Sequence, residues 1–167
     1  MAQQNLGVLF EVYGEACLWY AFSLTKNRYD AEELVSEAFL ALLTALPFLE
    51  EDGLKFWLFR VIRNRFLDKQ RKQSRWQRWF STQTVEKSVA TPLEEVIKDE
   101  RYQALYRAIE TLRPEDQELI FLHYFADQSL QELALLFDMS YSQTKNRLFR
   151  GRQKLKEVLG HEEFPEI

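Results

Sequence analysis

The chain has 167 residues, 46% of them hydrophobic, with five glycines, four prolines and a formal net charge of −4. That apolar content suffices for one ordinary domain or two small ones and excludes wholesale disorder, while the scarcity of Gly and Pro favours long helices over a turn-rich sheet protein. No run of about 18 apolar residues is present, so direct membrane insertion is not expected, and the single Cys17 excludes an internal disulfide and suits a reducing cytoplasm.

The opening MAQQNLGVLFEVYGEAC has no basic residue ahead of its apolar ones and carries Glu11 and Glu15, so a secretory leader is not expected. Leu6, Phe10, Tyr13, Cys17, Tyr20 and Leu24 recur every three or four residues and predict a first amphipathic helix, with Cys17 as a small core residue. Asp30 and Glu33 have the spacing of a helix N-cap with a reciprocal carboxylate. Leu34, Ala38, Leu42 and Leu46 then share a face, and Pro47 ends the run. A third helical stretch is predicted from near Gly53 to Lys72, with Leu58, Phe59, Ile62 and Phe66 on one side and Trp57, Arg60, Val61 and Asn64 on the other. Residues 73–92 lack a sustained period and read as a linker, though Trp76, Trp79 and Phe80 are costly in water and call for a packing partner.

Helical periodicity resumes with Val96, Ile97, Leu105, Ala108, Ile109 and Leu112. Pro114 suits the first turn of the next helix, which holds Leu119, Ile120 and Leu122. Two capping boxes follow, Ser129 with Glu132 and Ser140 with Gln143, separated by a tight turn at Asp138-Met139. Ala134 is small where two crossing helices approach, and the whole reads as a helix-turn-helix. The expected fold is therefore all-α: two small helical domains, residues 1–72 and 93–167, joined by a linker, the second containing the helix-turn-helix.

Charge is distributed unevenly. Residues 60–78 hold eight bases and one acid, and residues 139–156 hold six bases and no acid, in an otherwise acidic chain. A polyanion would be gripped at these two places and repelled elsewhere. On the last helix, Tyr141, Thr144, Leu155 and Leu159 fall on the side of Leu148, with Gly151 near its edge. Ser142, Gln143, Asn146, Phe149 and Arg150 point outward and Lys145 and Arg147 flank them. Such a first turn can present amides and hydroxyls to base edges in a major groove, with cations on phosphates. The earlier block interleaves Arg and Lys with Phe and Trp, the mixture that suits unstacked single-stranded DNA, although Phe59, Ile62 and Phe66 read equally as core. His123 and His161 lack metal-site spacing, and His123 reads as a half-buried helix residue. No P-loop, GxGxxG or GxSxG is present, so no catalytic residue, metal or cofactor is expected.

The segments DAEELVSEAFLALLTAL, FWLFRVIRNRFLDKQRK and LRPEDQELIFLHYFADQSLQELALLFDMSYSQTKNRLFRGRQKLKEVL together resemble the second and fourth conserved regions of the extracytoplasmic-function (ECF) group of bacterial sigma factors. The resemblance covers roughly residues 6–72 and 95–159. It implies a first domain that binds core RNA polymerase and the melted minus-ten element, and a second that binds the duplex minus-thirty-five element of promoter DNA. By position it assigns polymerase contact to Asp30, Glu32, Glu33, Ser36 and Glu37. It assigns minus-ten capture to Asn64, with Arg60, Arg63 and Arg65 holding the strand and Trp57 beside them. It assigns minus-thirty-five reading to Ser142, Gln143, Lys145, Asn146, Arg147, Phe149 and Arg150. It also implies an inhibitory anti-sigma factor, which can hold an otherwise cytoplasmic protein at the membrane, and no small-molecule substrate. Three positions depart from the family pattern: Asp138 where Gly is usual in the turn, Thr144 for an aliphatic and Gly151 for Ala. Two other readings of the residues stand beside this one. A conventional helix-turn-helix regulator would bind a palindromic duplex as a dimer, and a helical adaptor would bind protein alone.

Overall fold

A computed structural model describes residues 5–79 and 100–160, all of its regular structure there being helical. The chain divides into two compact units, the break falling between Thr91 and Pro92.

Among the described residues the first unit packs three helices, α1 (Leu6–Thr25), α2 (Arg28–Ala45) and α3 (Leu54–Trp79), with two short 3-10 turns, Leu46–Phe48 and Glu51–Gly53, between α2 and α3. Asn5 caps α1 through its side chain, which accepts from the Gly7 amide at 3.0 Å. Lys26 takes a left-handed conformation (φ 54°) that closes α1, and Asn27 at once caps α2 by accepting from the Asp30 amide at 3.1 Å. The expected cap at Asp30 is therefore displaced by three residues. Asn caps as well as Asp does, and Asp30 instead places its charge in the first turn, where the helix dipole favours it.

The core of this unit is Cys17, Tyr20, Ala21, Ala31, Leu34, Ala38, Leu42, Leu54, Leu58, Phe59 and Ile62, all essentially without exposure. Each large side chain here contributes about 1.5–3 kcal/mol through burial. Tyr20 meets Phe59 edge to face at 5.2 Å, locking α1 to α3. On α1 the buried stripe is Leu9, Gly14, Cys17, Tyr20, Ala21 and Phe22, so Leu6, Phe10, Tyr13 and Leu24 of the expected face are only partly covered; Phe10 still packs on Phe39 at 5.0 Å. Burial pushes the Cys17 thiol up to about 12, which keeps it a neutral packing group at physiological pH.

Helix α3 reaches Trp79, seven residues beyond the expected end at Lys72. The stretch 54–79 contains no Gly or Pro after its start, and its Gln, Arg and Lys residues favour helix, so nothing local stops it. Trp76 consequently stands on this helix, 64% exposed. Phe80 and the rest of the expected linker, like Val96, Ile97 and His161, lie outside the described residues, as does any account of the Trp79 side chain.

The second unit is built from α4 (Glu100–Glu110), α5 (Pro114–Tyr124), α6 (Leu130–Leu136) and α7 (Tyr141–Leu159). Leu105, Ala108, Ile109, Leu112, Leu119, Leu122, Leu133, Leu148 and Leu155 form its core. Pro114 occupies the first turn of α5, and both capping boxes are complete, Ser129 with Glu132 and Ser140 with Gln143. Asp138 sits left-handed (φ 52°) in the turn between α6 and α7, as the position demands. Thr144 is fully buried and its hydroxyl donates to the Ser140 carbonyl at 2.9 Å, which explains how a polar residue serves at a core position. Gly151 is buried too, not at the edge of the face: a Cβ there would stand 3.3 Å from Ile120 Cδ1, so its smallness lets α7 close on α5. His123 is half-buried and its Nδ1 lies 2.8 Å from the Gln128 carbonyl, a structural bond.

Candidate nucleic-acid interfaces

In the second unit α7 is anchored by Leu148, Gly151 and Leu155, which turns a polar and basic face outward. Ser142, Gln143, Lys145, Asn146, Phe149 and Arg150 are all exposed on it. Tyr141, expected on the buried side, is 50% exposed, because a residue at the first helical position overhangs the end of the unit. An open groove runs along this face, lined by Asp116, Asp138, Gln143, Asn146, Arg147 and Arg150 together with Arg113 and Lys154. The last two were not singled out from the sequence. Lys154 could have been, since it follows Arg150 by four residues and Asn146 by eight; Arg113 comes from the start of α5 and has no local signal.

Arg147 behaves differently from its neighbours. Its guanidinium donates to Asp116 Oδ1 and to Glu115 Oε2, both at 2.6 Å, and only 28% of the side chain is exposed. The two carboxylates raise its pKa further above the ordinary arginine value. Its immediate partners are thus the first turn of α5, and it ties α7 to α5 while Lys145, Arg150 and Lys154 make no ion pair among the described residues.

In the first unit Arg60 and Asn64 stand exposed one turn apart on α3, with Trp57 and Arg63 half-buried beside them. Arg65 points to α2, where it donates to Glu37 at 2.9 Å. Lys69, one turn on, donates to Glu33 at 2.8 Å and lies 3.4 Å from Glu37. Burial opposes the Lys69 charge, but the two carboxylates outweigh it and raise its pKa. On α2, Asp30 and Ser36 are exposed, and Glu32 is paired within its own helix to Arg28 at 2.9 Å. Of the residues expected to meet two different partners, Glu37 of α2 and Arg65 of α3 are therefore bonded to one another. Lys69 was missed by sequence reading, for its partners lie 32 and 36 residues away.

Two family models match the chain: Sigma-70 region 2 over residues 9–75 and Sigma-70, region 4 over residues 102–155. The chain belongs to the ECF group of sigma factors. It is 26% identical over 152 residues to the ECF RNA polymerase sigma factor SigM of Bacillus subtilis, covering 89% of this chain and 91% of that one. It is 27% identical over 142 residues to the ECF RNA polymerase sigma factor SigE of Mycolicibacterium smegmatis, covering 83% of this chain and 55% of that longer protein. The fold matches that of the sigma factor RpoE of Bartonella quintana, solved in complex with the anti-sigma factor NepR, with a TM-score of 0.75 at 24% identity over 94% of this chain and 98% of the other. As a sigma factor, the chain binds core RNA polymerase and directs promoter recognition and transcription initiation. Among the described residues, no helix is long and apolar enough to cross a membrane.

Proposed function

We propose that the two units of this sigma factor divide the promoter between them. The first, around residues 1–72, docks on core polymerase through the α2 face of Asp30, Glu32, Glu33, Ser36 and Glu37, and captures the melted minus-ten strand with Trp57, Arg60, Arg63 and Asn64. The second, around residues 93–167, reads the duplex minus-thirty-five element with Ser142, Gln143, Lys145, Asn146, Phe149 and Arg150. Arg65 and Arg147 are positioning residues in this assignment, because each is already held by carboxylates of its own unit. The chain works in the cytoplasm, has no catalysis of its own and needs no cofactor; phosphodiester chemistry belongs to the polymerase. An anti-sigma factor, such as the one crystallised with the Bartonella protein, restrains it.

The observation that carries this reading is the exposure of a polar, basic face on the capped helix α7, in the same chain as an exposed Arg60–Asn64 pair on a second basic helix. Base edges in a duplex are reached by such a helix in the major groove, whereas melted DNA is held by cations with aromatic side chains. The test compares Asn64→Ala with Asn146→Ala in holoenzyme on one promoter. Asn64→Ala reduces permanganate reactivity of the minus-ten thymines while closed-complex binding persists. Asn146→Ala reduces closed-complex binding itself. Equal losses in both assays for both variants, with unchanged thermal melts, would sink the division of labour.

A further inference from the structure

Arg113 stands at the point where α5 is tied to α7. Arg147 of α7 grips the turn that follows it, through Glu115 and Asp116, each at 2.6 Å. The Arg113 carbonyl accepts from the Asp116 and Gln117 amides, both at 2.9 Å, and Pro114 favours its extended conformation (φ −62°, ψ 146°). Gly151 lets the two helices close, since a Cβ there would stand 3.3 Å from Ile120 of α5. The backbone of Arg113 is therefore held in place, while its side chain is exposed and lines the groove with Arg150 and Lys154. None of these three cations makes an ion pair among the described residues. The lining holds two acids, Asp116 and Asp138, and neither is bonded to any of the three. Unpaired cations gathered on one groove repel each other, and an anion relieves that repulsion.

Resting on the reading of α7 as the duplex reader, we infer that Arg113, together with Lys154, holds a backbone phosphate of the minus-thirty-five duplex. A helix with its side chains is about 10–12 Å across and the major groove about 12 Å wide, so α7 fills the groove that it enters. An element packed beside α7 then meets the sugar–phosphate wall and not base edges. On the wheel of α7, Asn146 and Arg150 lie at the centre of the outward face, and Lys154 stands on the flank of Arg147, which is the flank that α5 covers. Arg113 extends this flank from the neighbouring helix. Its guanidinium can meet two phosphate oxygens with parallel N–H groups, and Lys154 adds a point charge. Arg113 is a positioning residue: it sets the register of α7 on the duplex without choosing sequence. The bonds from Arg147 to Glu115 and Asp116 keep this phosphate contact at a fixed offset from the base-reading side chains.

The probe is a promoter duplex in which single minus-thirty-five phosphates are replaced by neutral methylphosphonates, bound by full-length chain assembled with core polymerase. Wild type should lose affinity at several of these positions. Arg113→Gln should bind the unmodified duplex more weakly and be insensitive to the methylphosphonate at one of them, where its contact is already gone. Its loss should be equal on duplexes with altered minus-thirty-five bases. Its plot of log affinity against log salt should be shallower by about 0.9, so that the advantage of wild type shrinks about eightfold when salt rises tenfold. Lys154→Gln should become insensitive at the same phosphate, and Arg113→Lys, which keeps the charge, should restore the slope. Thermal melting checks that each variant is folded; if Arg113→Gln melts early, Lys154→Gln decides by the same criteria. An unchanged slope, or a methylphosphonate profile identical to that of wild type, overturns the contact. A loss that depends on base sequence overturns the phosphate as its target. Wild-type binding indifferent to every methylphosphonate and to every minus-thirty-five base change overturns the reading of α7 itself, and so the two failures are told apart.

Discussion

Helices α3 and α7 both carry dense basic stretches, yet they differ in what holds their cations. On α3, Arg65 and Lys69 are bound by Glu33 and Glu37 of the neighbouring α2, leaving Arg60 among the outward cations. On α7, only Arg147 is bound by the adjacent helix, through Glu115 and Asp116, and Lys145, Arg150 and Lys154 remain unpaired among the described residues. The same composition thus yields one helix partly neutralised by its own unit and another with an open basic face. Charge counted along a sequence overstates the first and describes the second well. The division suits their proposed tasks, since a closed duplex is gripped by cations from the outset, whereas strand capture follows melting.

The largest effect expected from this contrast is at Arg150. Arg150→Ala should weaken promoter duplex binding by holoenzyme by about 5- to 150-fold, the roughly 1–3 kcal/mol of an arginine at a base edge; a loss under twofold in a binding titration would show that the open face is idle. Asp116→Ala comes next. Asp116 is only 16% exposed and holds the α7–α5 tie, so its removal should destabilise the second unit by about 1–2 kcal/mol, between an exposed ion pair and a buried one. Differential scanning calorimetry reads this, and an unchanged transition would demote Arg147 from positioning residue to ordinary surface cation.

A smaller effect is expected on α3. In the Glu33→Gln/Glu37→Gln double variant, Arg65 and Lys69 lose their partners, and affinity for a single-stranded oligonucleotide should rise about threefold at low salt, the factor set by an exposed pair. The slope of log affinity against log salt should steepen by about 0.7 for each cation released to a single strand. No change in slope would mean that these bases do not face the strand. Smallest is Asp138→Gly, which relieves the left-handed residue of the turn and should raise stability by roughly 0.5 kcal/mol; a lower melting temperature would show that the aspartate side chain supports the turn.

The parts of the molecule legible from sequence were those governed by short range. Both capping boxes, Pro114 at the start of α5 and the turn at Asp138 are each settled within four residues, and the structure places them as expected. The buried face of α1 was not legible, because residues 16–22 are almost continuously apolar and periodicity cannot choose among them. The end of α3 was missed because polar composition in residues 73–79 was read as a linker, although those residue types favour helix. For the site, exposure of Ser142, Gln143, Asn146, Phe149 and Arg150 followed from the position of Leu148 on the wheel. The binding of Arg147 by Glu115 and Asp116, and of Arg65 and Lys69 by Glu33 and Glu37, did not: these pairs span 28 to 36 residues and depend on how helices pack.

Run-off transcription tests the central claim most directly. Sigma-free core polymerase is given this chain and a pool of fragments from its own genome. The account predicts discrete transcripts that disappear when the chain is omitted and whose start sites share two upstream elements. A folded chain that binds duplex fragments by itself, and yields no transcripts with core polymerase, would contradict it and point to a conventional duplex-binding regulator.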